Sequence, residues 1–234
     1  MSFLFRAGLN TSTECLAPAF SANRRQSPAT RTSSIRVVYG LERCAAIAIV
    51  MVLSPLLAGI AVLLAILSRR SPLVLHTRVG LNGAPLRMLK FRTMWAKGHG
   101  AAAWSFVESV SGDVSDLKDC RDSRVTSRFA SFCRRHSLDE LPQLLHVITG
   151  EMSFVGPRPI TREELDKHYG SSMDEVLSVR PGMTGLWQVT GRSCLTYARR
   201  RRLDLIFVRR ATVVLYFLIL MRSVPRVLRG TGAC

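Results

Sequence analysis

An unbroken uncharged stretch, CAAIAIVMVLSPLLAGIAVLLAIL from Cys44 to Leu67, constrains this chain more than any other feature. It exceeds the ~20 residues that a helix needs to cross the hydrocarbon core of a bilayer. Ser54 and Pro55 sit near its middle, and proline removes a backbone donor and bends a helix. Arg36 and Arg43 precede the stretch, and Arg69 and Arg70 follow it. Cytoplasmic flanks collect Lys and Arg, so one straight span would carry a basic flank to the wrong side, whereas a re-entrant helix-break-helix returns both. The pattern predicts a membrane hairpin over residues 41–71, with the Ser54 hydroxyl helping to satisfy carbonyls left unpaired at Pro55.

Charge narrows the setting. Lys and Arg number 33 against 16 Asp and Glu, a net charge of +17, while the mean hydropathy is +0.17. A basic chain that is also slightly apolar suits anionic headgroups and phosphorylated ligands better than nucleic acid. Aromatic residues are 7% of the chain and lie mostly in apolar stretches, so no base-stacking pattern supports a nucleic-acid partner. The six cysteines show no C-x-x-C spacing, which points to free thiols in a reducing compartment rather than a zinc site or disulfide framework. Residues 1–40, rich in Ser, Thr, Ala, Arg and Pro, read as a disordered basic tail. Residues 72–234 are left as one cytoplasmic domain.

Within that domain, strands are predicted at Leu73 to Val79 and Leu86 to Met94, joined around Asn82-Gly83, a dipeptide favoured in tight hairpins. Residues 96–123 read as a loop with at most a short helix. An amphipathic helix is predicted over Arg124 to His136, with Val125, Phe129, Phe132 and Cys133 on one face. A second runs from Pro142 to Thr149 and stops at Gly150. A third starts at Thr161, where Thr161-x-x-Glu164 forms a capping box, and ends near Gly170. The last 36 residues alternate Arg clusters with the apolar stretch Ala211 to Met221, which is too short to span and fits either an interfacial helix or a buried one. The expected fold class is mainly α with a short β-hairpin, a re-entrant membrane hairpin, interfacial amphipathic helices and a compact catalytic domain.

Asp139 and Glu140 are the candidate chemical groups. With Pro142 as first helical residue, both stand just ahead of a positive helix end, which favours their ionised forms. Such a carboxylate binds a divalent cation or attacks phosphorus; ordinary helix capping is the plain alternative. Arg158, within Gly156-Pro157-Arg158-Pro159, is held by a stretch of little backbone freedom and suits phosphate recognition. Arg180-Pro-Gly-Met-Thr-Gly-Leu-Trp-Gln-Val-Thr-Gly-Arg192 carries an Arg at each end and glycines that let backbone approach a ligand. Lys90 and Arg92 alternate onto one strand face. His76, His99, His136, His146 and His168 show no metal-site spacing and read as structural.

Taken in order, Ser54-Pro55, Arg78-x-Gly80, Lys90-Phe-Arg-Thr-Met94, Ser137-Leu-Asp-Glu-Leu-Pro-Gln143, Gly150-Glu-Met-Ser-Phe-Val-Gly-Pro-Arg-Pro159, Arg180-Pro-Gly-Met-Thr-Gly185 with Gln188 and Gly191-Arg192, and Leu228-Arg-Gly-Thr-Gly-Ala233 resemble the bacterial sugar transferases. The likeness is to their small monotopic form, polyprenyl-phosphate hexose-1-phosphate transferases of the exopolysaccharide-priming type. It implies a UDP-sugar donor, an undecaprenyl phosphate acceptor, and a site at the cytoplasmic face of the bacterial inner membrane. It makes Asp139 the nucleophile that carries a sugar-phosphate covalently, with Glu140 handling metal or proton, Mg²⁺ on the pair, and Lys90, Arg92, Arg158, Arg180, Gln188 and Arg192 around the phosphates. One position departs: Tyr216 stands where many members carry an Asp. That substitution is the ground for an alternative, a catalytically weakened homologue acting as a membrane-associated interaction protein.

Overall fold

A computed structural model describes residues 28–95, 107–110, 127–191 and 195–229. Arg192, His99, Val125 and the last residues of the closing Leu228-Arg-Gly motif lie outside them.

Helix α1, Pro28–Ser68, contains the whole apolar stretch and starts inside the segment expected as a tail. It is one continuous helix with Pro55 inside it, rather than two helices around a break. The Ser54 Oγ donates to the Met51 carbonyl at 2.8 Å. That carbonyl lies four residues before Pro55 and is the acceptor that proline cannot serve. By length and composition Val38–Ser68 suffices to cross a membrane. Its exposed residues include Met51, Val52, Leu56, Val62 and Ile66.

Strands β1 (Leu73–Val79) and β2 (Pro85–Phe91) form the predicted hairpin, in register from Leu73 opposite Phe91 to Val79 opposite Pro85. Asn82 and Gly83 turn it with φ of 54° and 81°, the left-handed region these two residues tolerate best. Strand β3, Val107–Val110, pairs parallel with β1. It falls where a loop was expected, because a four-residue edge strand draws its hydrogen bonds from a distant neighbour and leaves little local pattern.

Helix α2, Arg128–Arg135, is capped by Ser127, whose Oγ accepts from the Phe129 and Ala130 amides. It buries Cys133 but leaves Phe132 half exposed, so the predicted apolar face is narrower than its spacing implied. A 3-10 helix, Leu138–Gln143, leads into α3, Leu144–Thr149. Gly150 ends α3 with φ 83°, and Arg43 of α1 donates from Nη2 to the Thr149 carbonyl at 3.2 Å. His146 bolts α3 to β2: its Nε2 accepts the Leu89 N–H at 3.1 Å, so its Nδ1 carries the proton donated to Glu151 at 2.7 Å.

Beyond β4 (Ser153–Val155), α4 (Arg162–His168) begins in the predicted Thr161–Glu164 capping box. After α5 (Met173–Leu177), β5 (Gly182–Thr184) pairs parallel with β4, and α6 (Leu186–Thr190) follows. Helices α7, Tyr197–Arg210, and α8, Val213–Arg229, close the described chain. The core around Val155, Leu186, Phe207, Leu215, Tyr216 and Ile219 also takes in Val38 of α1. Helix α8 is buried on one side, at Leu215 and Ile219, and exposed on the other, at Val214, Phe217, Met221 and Val224.

Helix α1 meets this domain on both sides of Ser54-Pro55. Ala46 packs with Leu86, Met88, Val147 and Met152, and Ile60 and Leu64 pack with Phe91, Ala130 and Cys133. No residue from 47 to 59 is buried.

Candidate active site

The carboxylate pair rides on the 3-10 helix, not ahead of an α-helix. Ser137 takes φ 56° and ψ 24°, a left-handed turn that reverses the chain out of α2 and costs a non-glycine residue free energy. The Glu140 N–H bonds the Ser137 carbonyl three residues back at 3.1 Å. Pro142 is therefore the fifth residue of the turn, and not the first residue of a helix as its sequence position predicts. It is tolerated because a short 3-10 turn has few internal bonds to lose and continues directly into α3.

Asp139 is 4% exposed. Glu140 Oε1 lies 3.9 Å from Lys90 Nζ and 4.0 Å from Arg158 Nη1, three side chains drawn from the 3-10 helix, β2 and the loop after β4. These are loose ion pairs, and all three side chains are largely shielded from water, where charge interactions are stronger than at the surface. Burial, reinforced by the negative charge of Asp139, pushes the Cys133 thiol up to about 11.

The other expected binding residues fall elsewhere around this cluster. Arg92 is buried and turns its Nε to the Ser71 carbonyl at 2.7 Å, bracing the exit from α1. The Arg180 guanidinium stacks over the Tyr39 ring of α1 at 4.5 Å. Gln188 lies with Glu140 along one cavity. Its Nε2 donates to the Met183 carbonyl at 3.4 Å, and its buried Oε1 meets no donor among the described residues. Two glycines of the 180–191 segment are needed by close backbone packing: a Cβ on Gly182 would collide with the Gly156 nitrogen, and one on Gly185 with the Gly156 carbonyl. Gly156 and Thr184 are bonded N–H to carbonyl at 2.9 Å, and Gly182 and Pro157 at 2.8 Å. This backbone crossing fixes the loop that carries Arg158.

Arg200, Asp204 and Glu42 were not among the residues that the sequence motifs single out. Arg158 and Arg200 both lie over the Trp187 ring, at 6.0 and 4.8 Å from its centroid. Asp204 is 1% exposed and accepts from the Tyr169 hydroxyl at 2.8 Å. Burial pushes its carboxyl up to about 7, against the opposing pull of the Tyr169 bond, Arg200 and Arg158. Glu42 of α1 is buried and accepts from Ser153 Oγ and Phe154 N, each at 2.7 Å, and from the Tyr216 hydroxyl. An acid within the basic approach to an apolar helix was its one visible mark.

Two adjacent carboxylates supply hard oxygen donors of the kind Mg²⁺ takes, completed in such sites by water and substrate phosphate. Among the described residues no group of three or more His, Cys, Asp or Glu gathers to hold a metal alone, and Asp139 and Glu140 are the residues of this site that could supply carboxylate ligands to one.

The family model described as bacterial sugar transferase matches residues 35–230. The exopolysaccharide production protein ExoY of Sinorhizobium fredii (strain NBRC 101917 / NGR234) is 36% identical over 211 residues, covering 86% of this chain and 92% of that protein. ExoY of Rhizobium meliloti (strain 1021) is 35% identical over 212 residues, with the same coverage of each. The UDP-glucose:undecaprenyl-phosphate glucose-1-phosphate transferase of Xanthomonas campestris pv. campestris is 34% identical over 235 residues, 96% of this chain and 46% of that one.

Proposed function

The chain belongs to the bacterial sugar transferase family, and from that premise we propose that it transfers a sugar-1-phosphate from a UDP-sugar to undecaprenyl phosphate through a covalent intermediate on Asp139. It is a phosphoglycosyl transferase, and relatives are named for undecaprenyl-phosphate galactose or glucose phosphotransfer. The observation that carries the mechanism is the convergence of Lys90 and Arg158 on Glu140, beside a buried Asp139.

A carboxylate oxygen of Asp139 attacks the β-phosphorus of the donor. The bond from that phosphorus to the oxygen bridging the α-phosphate breaks, and UMP leaves with the electron pair. An oxygen of the lipid phosphate then attacks the same phosphorus, the aspartyl bond breaks, and the lipid diphosphate sugar departs with Asp139 regenerated. Lys90 and Arg158 offset phosphate charge from fixed positions, which lowers the cost of gathering negative groups. Asp139 and Glu140 are the residues that would hold Mg²⁺, which supplies further charge neutralisation when bound.

The membrane setting follows from α1. Ala46 on one side of Pro55, and Ile60 and Leu64 on the other, pack on one and the same domain, which supports a single helix bent at Pro55, with no break, that keeps both ends at the cytoplasmic face of the inner membrane. The exposed apolar side of α8 suits the interface beside it. The role in priming exopolysaccharide or another surface glycan is read from the names of the ExoY relatives.

The test is UMP release by the purified protein given UDP-sugars, Mg²⁺ and undecaprenyl phosphate. Release is expected from the native chain and should fall at least about a thousandfold in Asp139→Asn, as for loss of a nucleophile. Undiminished release by that variant would remove Asp139 from the mechanism.

A further inference from the structure

The space around Glu140 has two unlike sides. One holds the cations Lys90 and Arg158. The other is a cavity of about 170 Å³ that runs from the 3-10 helix to α8. Leu141, Phe154, Leu220 and Val227 make its walls apolar, and Arg226 stands among them with its Nη1 bonded to the Gln188 carbonyl at 3.2 Å. That bond anchors the guanidinium fork at the cavity.

Size and chemistry select the occupant. Sites for drug-sized ligands occupy roughly 300–1,000 Å³, so the cavity is too small for a nucleotide sugar. A sugar ring needs several polar partners, but the hydroxyls here serve each other. Ser223 donates its one proton to the Ile219 carbonyl at 2.8 Å, which makes Thr184 the donor in the 2.7 Å bond between Thr184 and Ser223. Ser137, Glu140 and Gln188 add polar atoms to the lining, and the rest is a hydrocarbon wall with one cation, Arg226, the complement of an isoprenoid phosphate. The cavity also has a route to lipid: while Leu220 and Ser223 face it, their neighbours Met221 and Val224 are 60% and 47% exposed on the apolar side of α8.

We propose that this cavity seats the phosphate-proximal end of the polyprenyl phosphate acceptor, its first isoprenoid unit on Leu141, Phe154 and Leu220 and its phosphate met by Arg226. The proposal rests on the transferase reading given above. It separates the two substrates: the donor diphosphate approaches from the Lys90 and Arg158 side, and the lipid enters past α8.

Two variants of the full-length protein in lipid nanodiscs test it. Leu220→Trp fills the cavity, and Arg226→Gln removes the fork at its edge while preserving a side chain of moderate length. The two half-reactions are read apart, as the UMP burst with UDP-sugar alone and as steady-state transfer to undecaprenyl phosphate. Both variants should raise the KM for undecaprenyl phosphate about tenfold or more, with a much smaller effect on burst amplitude and on the KM for UDP-sugar. A matching rise in the UDP-sugar KM would make the cavity a donor site, and an acceptor KM unaltered in both variants would empty it of function; either result overturns the proposal. Binding of geranyl phosphate, titrated without any nucleotide sugar, supplies an arm independent of turnover. Weaker binding in both variants is expected even if the native chain released no UMP, an outcome that would sink the transferase reading and leave the cavity assignment standing. Equal binding by native and variant chains would refute the assignment alone.

Discussion

The hydroxyl of Tyr216, on helix α8, donates a hydrogen bond to Oε1 of Glu42, on helix α1. Glu42 collects two more donors, Ser153 Oγ and Phe154 N, so one buried carboxyl ties α1, β4 and α8 together. Tyr216 therefore has a role in the core of this protein. Burial and the nearby Glu42 hold its phenol above the usual range, so it stays a donor.

Tyr216→Phe removes that donor and leaves a buried acceptor one partner short. A loss of about 1–3 kcal/mol in unfolding free energy is expected. Denaturant unfolding in detergent measures it, and a loss well below that range would show that the bond contributes little.

The Cys133 thiol, at about 11 through burial and the charge of Asp139, should resist maleimide at neutral pH. Asp139→Asn removes a negative neighbour, which favours the thiolate, so the Cys133 pKa should fall. A pH series of labelling rates on the folded variant reads the charge of Asp139 without any turnover.

Arg158 lies 4.0 Å from Glu140 and over the Trp187 ring, a position that uses its planar, forked shape. Arg158→Lys keeps the charge and loses the fork, and should raise the KM for UDP-sugar by about tenfold, or ~1.4 kcal/mol. Full activity in the Lys variant would mean that charge alone suffices there.

Asp204 gives the fold a pH dependence of definite sign. Its carboxyl sits near 7 when folded against an ordinary 3.8, so between these values the folded chain keeps a proton that the unfolded chain has lost. The contribution to stability is full below about pH 4 and is lost as pH rises through 7. Unfolding at pH 5 and pH 8 should show a smaller stability difference in Asp204→Asn than in the native chain.

Both ends of α1 should lie on one side of the membrane. Cysteines placed singly at Gly40 and at Arg70 should show the same accessibility to an impermeant thiol reagent in intact cells, and opposite accessibilities would establish a crossing.

The sequence by itself determined what neighbours in the chain decide. The Asn82-Gly83 turn, the Thr161–Glu164 capping box and the stop at Gly150 each depend on backbone preferences and bonds within a few residues, so their motifs sufficed. The apolar run and Ser54 were equally legible, because the Met51 carbonyl that the hydroxyl satisfies is one turn away. Tertiary structure decided the rest. Pro142 entered a 3-10 turn that local propensity disfavours, in a segment that buries Asp139, Pro142 and Gln143 against its surroundings. The glycines at 182 and 185 are needed by the close approach of Gly156, which follows β4 and lies far away in sequence. Lys90, Glu140 and Arg158 meet only because β2, the 3-10 helix and the loop after β4 converge, and Glu42 finds its donors more than a hundred residues away. Such contacts close long loops and leave no period or spacing in the chain, so the fold alone assembles them.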